Sequence, residues 1–136
     1  MNERNSSEIP SGLRVWFVIH FFADVMVGIP LLFVPGLFLP LLGWDVVDPV
    51  SSRLVGAALM GIGIESLLGR NAGVEAFRGM LNLKVIWAVS AVIGISLAFF
   101  HGAPVSAWGI LAIFVVFGGV WVYYRMKLRK NPGRGE

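Results

Sequence analysis

The sequence predicts an all-α integral membrane protein, a four-helix bundle with its N and C termini on the cytoplasmic side. Three observations carry this. Hydrophobic residues make up 57% of the chain and charged residues only 14%, against roughly 25% charged in an ordinary soluble domain. The apolar residues fall in four long runs separated by short breaks. The lysines and arginines crowd on one side of those runs. A length of 136 residues allows one domain.

Residues 1–13 are polar and read as a flexible lead. The first span covers about residues 15–34. It is too long for the apolar core of a signal peptide and lacks a small-x-small cleavage site, so it reads as retained. Pro30, Pro35 and Pro40 then recur with Gly36 and Gly43. Proline removes an amide donor and clashes with the preceding turn, so residues 36–44 predict an interfacial stretch without a regular helix. Asp45 and Asp48 mark an aqueous loop. The second span covers about 52–69, with Ser51 or Ser52 as N-cap and Asn71 and Gly73 beyond its end. A loop at 70–79 carries Arg70, Glu75 and Arg78. The third span covers about 80–100, and a tight turn at 101–104 leads to a fourth over about 106–124. Residues 125–136 form a basic tail. About 20 apolar residues cross the ~30 Å of bilayer hydrocarbon, and each run meets that length. The alternating strands of a membrane barrel are absent.

Four spans put both termini and the 70–79 loop on one side. That side takes ten of the eleven basic residues: Arg4, Arg14, Arg70, Arg78, Lys84, Arg125, Lys127, Arg129, Lys130 and Arg134. Only Arg53 falls opposite, where it reads as an interfacial cap on the second span. Lysine and arginine in short loops mark the cytoplasm, which predicts a multi-pass cell-membrane protein with both ends inside. Trp16, Trp121, Tyr123 and Tyr124 fall at the inner boundary and Trp44 and Trp108 at the outer one, positions that suit interfacial anchors. The basic tail fixes topology and meets anionic lipid. No nucleic-acid-binding motif accompanies it.

Ionisable residues inside a bilayer cost at least a few kcal/mol at the centre of a helix, so the few present are the candidates for chemistry. They are His20, Asp24, Glu65 and Lys84. At about 1.5 Å per residue from Arg14, His20 lies ~9 Å deep and Asp24 ~15 Å. Glu65 and Lys84 lie about 6 Å inside their spans by the same rise. His20 and Asp24 are four apart and share a helix face with Gly28. Glu65 shares one with Gly61, and Lys84 shares one with Ala88 and Ala91. Small residues let membrane helices approach. These placements predict a buried polar cluster of the first three spans, with Lys84 paired to Glu65 and His20 beside Asp24. The fourth span has no ionisable residue between Trp108 and Tyr124 and reads as a lipid-facing or subunit-facing helix, with Phe114, Phe117, Gly118 and Gly119 on that face. Gly61-Ile62-Gly63 lies inside a span and reads as close packing rather than a nucleotide loop.

No catalytic constellation appears. Absence of cysteine excludes disulfides, thiolate metal sites and iron–sulfur clusters. The two histidines, His20 and His101, fall at opposite ends of the membrane, so no metal or haem ligand pair is expected. No cofactor is expected either.

The order of features resembles a class of small, largely uncharacterised four-span bacterial and archaeal membrane proteins. The residues that carry this are Arg53-Leu54-Val55-Gly56, Gly61-Ile62-Gly63, the loop with Glu75 and Arg78, and Trp87 in the third span. The chain is also distantly similar to the DoxX-like group, which has been linked to redox-associated membrane complexes. That resemblance implies a place in such an assembly, although this chain has no residues for a common redox centre of its own.

Three functions follow as expectations. The first is a non-catalytic scaffold or accessory subunit, with the lipid bilayer and a membrane-protein partner or a second copy as its contacts. The second is a small proton-coupled transporter or ligand-binding membrane protein that uses Asp24 and a Glu65–Lys84 cluster. The third is a lipid- or quinone-processing enzyme with Asp24, His20 and Glu65 as acid–base groups.

Overall fold

The computed structural model describes residues 9–130, and every regular element among them is helical. Five α-helices follow in order: α1 (Ser11–Phe33), α2 (Pro35–Leu41), α3 (Pro49–Leu68), α4 (Val74–Ala98) and α5 (Ser106–Lys130). Short 3-10 turns, Gly69–Asn71 and Phe99–His101, follow α3 and α4. Helices α1, α3, α4 and α5 are each long and apolar enough to cross a membrane. A helix satisfies its own backbone polar groups, which hydrocarbon requires. Many large apolar side chains face outward along these helices, among them Phe22, Met26, Leu54, Ile86 and Val116, as expected of a surface solvated by lipid.

The helices outrun the apolar windows. Helix α1 begins at Ser11 and α5 runs to Lys130, so parts of the expected lead and tail are helical. Ile9 and Leu13 are buried, as is Leu128. Residues 1–8 and 131–136 of those segments, with Arg4 and Arg134, lie outside the described residues. The 70–79 loop is shorter than expected because α4 starts at Val74.

The proline-rich stretch breaks the backbone once, at Val34. Pro30 lies within α1, Pro35 opens α2 and Pro40 lies inside it. A proline at the first helical position gives up no bond the helix would have made, so α2 forms where none was expected. Its end is fastened to the α4–α5 turn: the Ser106 hydroxyl donates to the Leu42 carbonyl, and Gly43 adopts φ +90° against Pro104. The expected serine N-cap of α3 is Asp48 instead. The Ser51 hydroxyl and the Val50 amide both donate to its carboxylate, which holds it below the ordinary carboxylate range. Arg53 does not cap α3 either. Its Nε donates to the Leu32 carbonyl, 3.2 Å away, at the end of α1.

The bundle is two antiparallel pairs, α1 with α3 and α4 with α5. In the first pair glycine sets the spacing. A Cβ on Gly56 would lie 2.7 Å from the Leu32 nitrogen and 2.9 Å from the Gly28 carbonyl oxygen. One on Gly63 would lie 2.7 Å from the Asp24 Cβ. Close approach through small residues is how membrane helices gain packing without a hydrophobic drive between them. The two pairs meet across a layer of large side chains, Leu13, Phe17, Phe77, Leu81 and Trp121, all essentially inaccessible.

Arginines tie the end at which α1 begins and α5 finishes. Arg14 donates to the Arg70 carbonyl at 2.7 Å, and Arg70 donates to the Leu67 carbonyl. Arg78 donates to the Leu128 carbonyl and to Glu75, and Arg125 donates to Asn82. The carbonyls taken at Leu67 and Leu128 belong to the last turns of α3 and α5, where cations also complement the helix dipole.

The glycine crossing is testable. Gly56→Ala should destabilise the bundle by about 1–3 kcal/mol, the usual range for overpacking. Gly61→Ala, which meets nothing within 4 Å, should be neutral or slightly stabilising, because alanine is the better helix former. Thermal unfolding of the two variants in one detergent checks the contrast.

Candidate functional site

The inward faces of the helices follow a strict three-four rhythm. On α1 the buried positions are Leu13, Phe17, His20, Asp24, Gly28 and Leu31. On α3 they are Gly56, Leu59, Gly63 and Ser66, and on α4 Phe77, Leu81, Lys84 and Ala88. His20, Asp24, Ser66 and Lys84 therefore point into one interior, the four buried polar or charged residues among those described.

Lys84 occupies the centre. Its Nζ lies 2.9 Å from His20 Nδ1 and donates to Ser66 Oγ at 2.6 Å. Ser66 in turn donates to the Ile62 carbonyl at 2.7 Å. The ammonium also stands 5.0 Å from the ring centroids of both Phe17 and Trp121, a placement that offsets part of the cost of removing it from water. The His20 ring meets Phe117 and Trp121 edge-on, at 4.9 and 5.1 Å between centroids.

His20 Nδ1 also lies 3.0 Å from Asp24 Oδ2. The separation is that of an ion pair, but the alignment is not that of a hydrogen bond, and Asp24 Oδ2 is buried without a hydrogen-bond partner. The reason lies in one atom. An imidazole nitrogen carries either a proton or a lone pair. As acceptor, Nδ1 takes a hydrogen bond from Lys84 and offers Asp24 no donor. As donor, it serves Asp24 and releases Lys84. The two neighbours compete for one nitrogen, and the number of protons in the cluster decides which is satisfied.

Three of the four expected site residues are thus brought together, and the fourth is not. Glu65 makes no ion pair with Lys84. It lies one position from the inward stripe, about 100° around the helix, and is exposed. The buried stripe of α3 runs through Gly63, not Gly61, so Ser66 takes the place expected of Glu65. Its signal was present in the sequence: Gly56, Gly63 and Ser66 place three small residues at intervals of seven and three.

The fourth span corrects a second expectation. Trp121 is not an interfacial anchor. It is 1% exposed, stacks on Phe117 at 5.7 Å and closes the cluster from the α5 side. Phe117 packs inward too, and Gly118 lets α5 approach Ala88. Phe114 meets Trp87, 6.4 Å between centroids.

Glu65 instead borders a cleft of about 280 Å³ between α3 and α4, whose lining includes Ala58, Ile62, Leu83 and Trp87. Ser66 and the Lys84 side chain form its inner wall. No group of His, Asp and Glu suited to a metal ion occurs among the described residues.

Comparison with protein families, with characterised proteins and with solved structures found no match. The likeness to the DoxX-like group therefore rests on the order of sequence features alone.

Proposed function

We propose that this chain is a small proton-coupled carrier or ligand-binding protein of the cell membrane, working through the Asp24–His20–Lys84 cluster. The observation that carries it is the unpartnered Asp24 Oδ2. A buried polar atom left without a hydrogen bond costs about 1–3 kcal/mol, and an ionisable residue within a membrane span marks a functional site by default. A carboxyl, an imidazole and an amine around one shared nitrogen exchange a proton by small movements of its donors. Proton occupancy then selects between the Lys84-bound and Asp24-bound arrangements of His20, which is the element a carrier needs to couple protonation to shape.

The notion of a non-catalytic scaffold or accessory subunit has one supporting observation. Lys84 and Ser66 are each hydrogen-bonded across helices or within the bundle, so part of the cluster acts as interhelical glue. The Asp24 oxygen without a hydrogen bond separates the two readings, since glue alone has no need of it.

The distribution of lysine and arginine favours a cytoplasmic side for both chain ends. The sequence has no cysteine, so single introduced cysteines report without background. In intact cells an impermeant maleimide should label Val46→Cys and spare Asn71→Cys. The reverse pattern, or labelling of both, contradicts the orientation.

For the activity, the native chain in vesicles should speed dissipation of an imposed pH gradient, read by an enclosed pH dye. Asp24→Asn should slow this by roughly 10²-fold or more, the usual loss when a positioned proton-transfer group is removed. Equal fluxes from the two proteins would rule out the carrier reading and leave the subunit reading.

A further inference from the structure

Four groups surround the Lys84 ammonium: Ser66 Oγ at 2.6 Å, His20 Nδ1 at 2.9 Å, and the ring centroids of Phe17 and Trp121, each at 5.0 Å. They are not equivalent. His20 Nδ1 stands 3.0 Å from Asp24 as well, and it accepts only while it carries no proton. Ser66 has no such freedom. Its hydroxyl has one proton to give, and that proton goes to the Ile62 carbonyl four residues back on α3, at 2.7 Å. Toward Lys84 the oxygen presents a lone pair only. Ser66 is completely buried, so bulk solvent reaches neither bond. The two rings attract a cation through their faces. Three of the four neighbours, Ser66, Phe17 and Trp121, therefore favour an ammonium whatever the state of His20. The charged groups around Lys84 are few. Helix α1 supplies His20 and Asp24. On α3, Glu65 turns toward Gly69, where an added Cβ would lie 3.6 Å from its Oε1. Helix α5 faces Lys84 with the Trp121 ring.

We infer that Ser66 is a positioning residue that anchors Lys84 as a permanent ammonium, so that the proton gained and lost by the cluster resides on His20 and Asp24 alone. This rests on the proton-carrier reading and narrows it. In the proton-free state Lys84 bridges Ser66 and His20, and Asp24 is a carboxylate. An arriving proton adds to the Nδ1 lone pair. The new N–H donates to Asp24 Oδ2. The bond from Lys84 to His20 is then lost, because an ammonium and a protonated ring nitrogen have no lone pair between them. Lys84 does not follow the ring, since the Ser66 oxygen and the two ring faces still hold it. Departure of the proton from Nδ1 restores the bridge. One N–H bond forms on loading and breaks on release, and the cluster passes from neutral to a single positive charge. Ser66 is the fixed point of this exchange, because its own proton is committed to Ile62 in both states.

Nitrogen-15 NMR of the full chain in lipid tests this. The Lys84 Nζ signal is assigned by its loss in Lys84→Gln, and pH is stepped across the range in which His20 changes form. Native Lys84 should keep its ammonium signal on both sides of the His20 change. In Ser66→Ala the Lys84 signal should move together with that of His20. Dissipation of an imposed pH gradient by that variant in vesicles should slow about tenfold, as expected for loss of one hydrogen bond to a charged group. Ser66→Cys has a similar volume and only a weak hydrogen-bonding group, and it should follow the alanine variant. Ser66→Thr keeps the hydroxyl and should follow the native chain. A native Lys84 that changes form along with His20 overturns the proposal, as does an unchanged Lys84 signal in Ser66→Ala. A cysteine variant that behaves as the native chain also overturns it, by making volume rather than the hydroxyl the cause. The two readings fail separately. Equal dissipation by native and Asp24→Asn chains removes the carrier, while a constant Lys84 signal that depends on Ser66 still establishes the anchor. A titrating native Lys84 with slowed flux in Asp24→Asn overturns the anchor alone.

Discussion

A charged side chain in hydrocarbon must find its partners inside its own bundle, because the bilayer offers none. Here that constraint falls on Lys84. Its ammonium reaches His20 on α1, Ser66 on α3 and the Trp121 ring on α5, so one group from each of the other three spans is fixed by it. The glycines of the α1–α3 crossing serve the same centre. Gly63 leaves room for Asp24 where any Cβ would collide, and the depth of the polar cluster depends on that contact. The aromatic layer of Phe17, Phe77 and Trp121 then excludes lipid and water from the site.

Strong local interactions do not make this cluster a closed one. Lys84 and Ser66 complete a chain of hydrogen bonds that ends on the Ile62 carbonyl. Asp24 stands outside that chain, held near an imidazole nitrogen that Lys84 also claims. A purely structural network would be more stable with every member satisfied. The carboxylate oxygen left without a hydrogen bond is therefore a departure from stability, and such departures gather at functional sites.

The bundle was legible in the sequence because its evidence is redundant: length, hydropathy and charge placement each indicate four spans. His20, Asp24 and Lys84 were legible because ionisable residues are rare in hydrocarbon. Helix phase was less accessible. In a span that is apolar all round, no hydrophobic stripe marks the inner face, and an error of one residue exchanges Glu65 for Ser66. The inward face of α3 is set by small residues against α1, a signal that Gly61 beside Gly63 made ambiguous. The sequence points Trp121 to the headgroup level because tryptophan near a helix end suits that level equally well. Its burial follows from α5 continuing beyond the apolar window, as far as Leu128 in the core, which places Trp121 well inside the helix. Asp48 is hard to see as the N-cap in the sequence because two serines stand closer to the apolar run.

In the proposed coupling, His20 Nδ1 serves Lys84 or Asp24 according to proton occupancy. Nitrogen-15 NMR of the ring reports this directly, with His101→Gln leaving His20 as the single histidine. In lipid, Nδ1 should pass between acceptor and donor as pH changes, and Asp24→Asn should hold it as an acceptor to Lys84 throughout. A native ring that keeps one tautomer across the whole pH range, with the same spectrum in Asp24→Asn, would contradict the account.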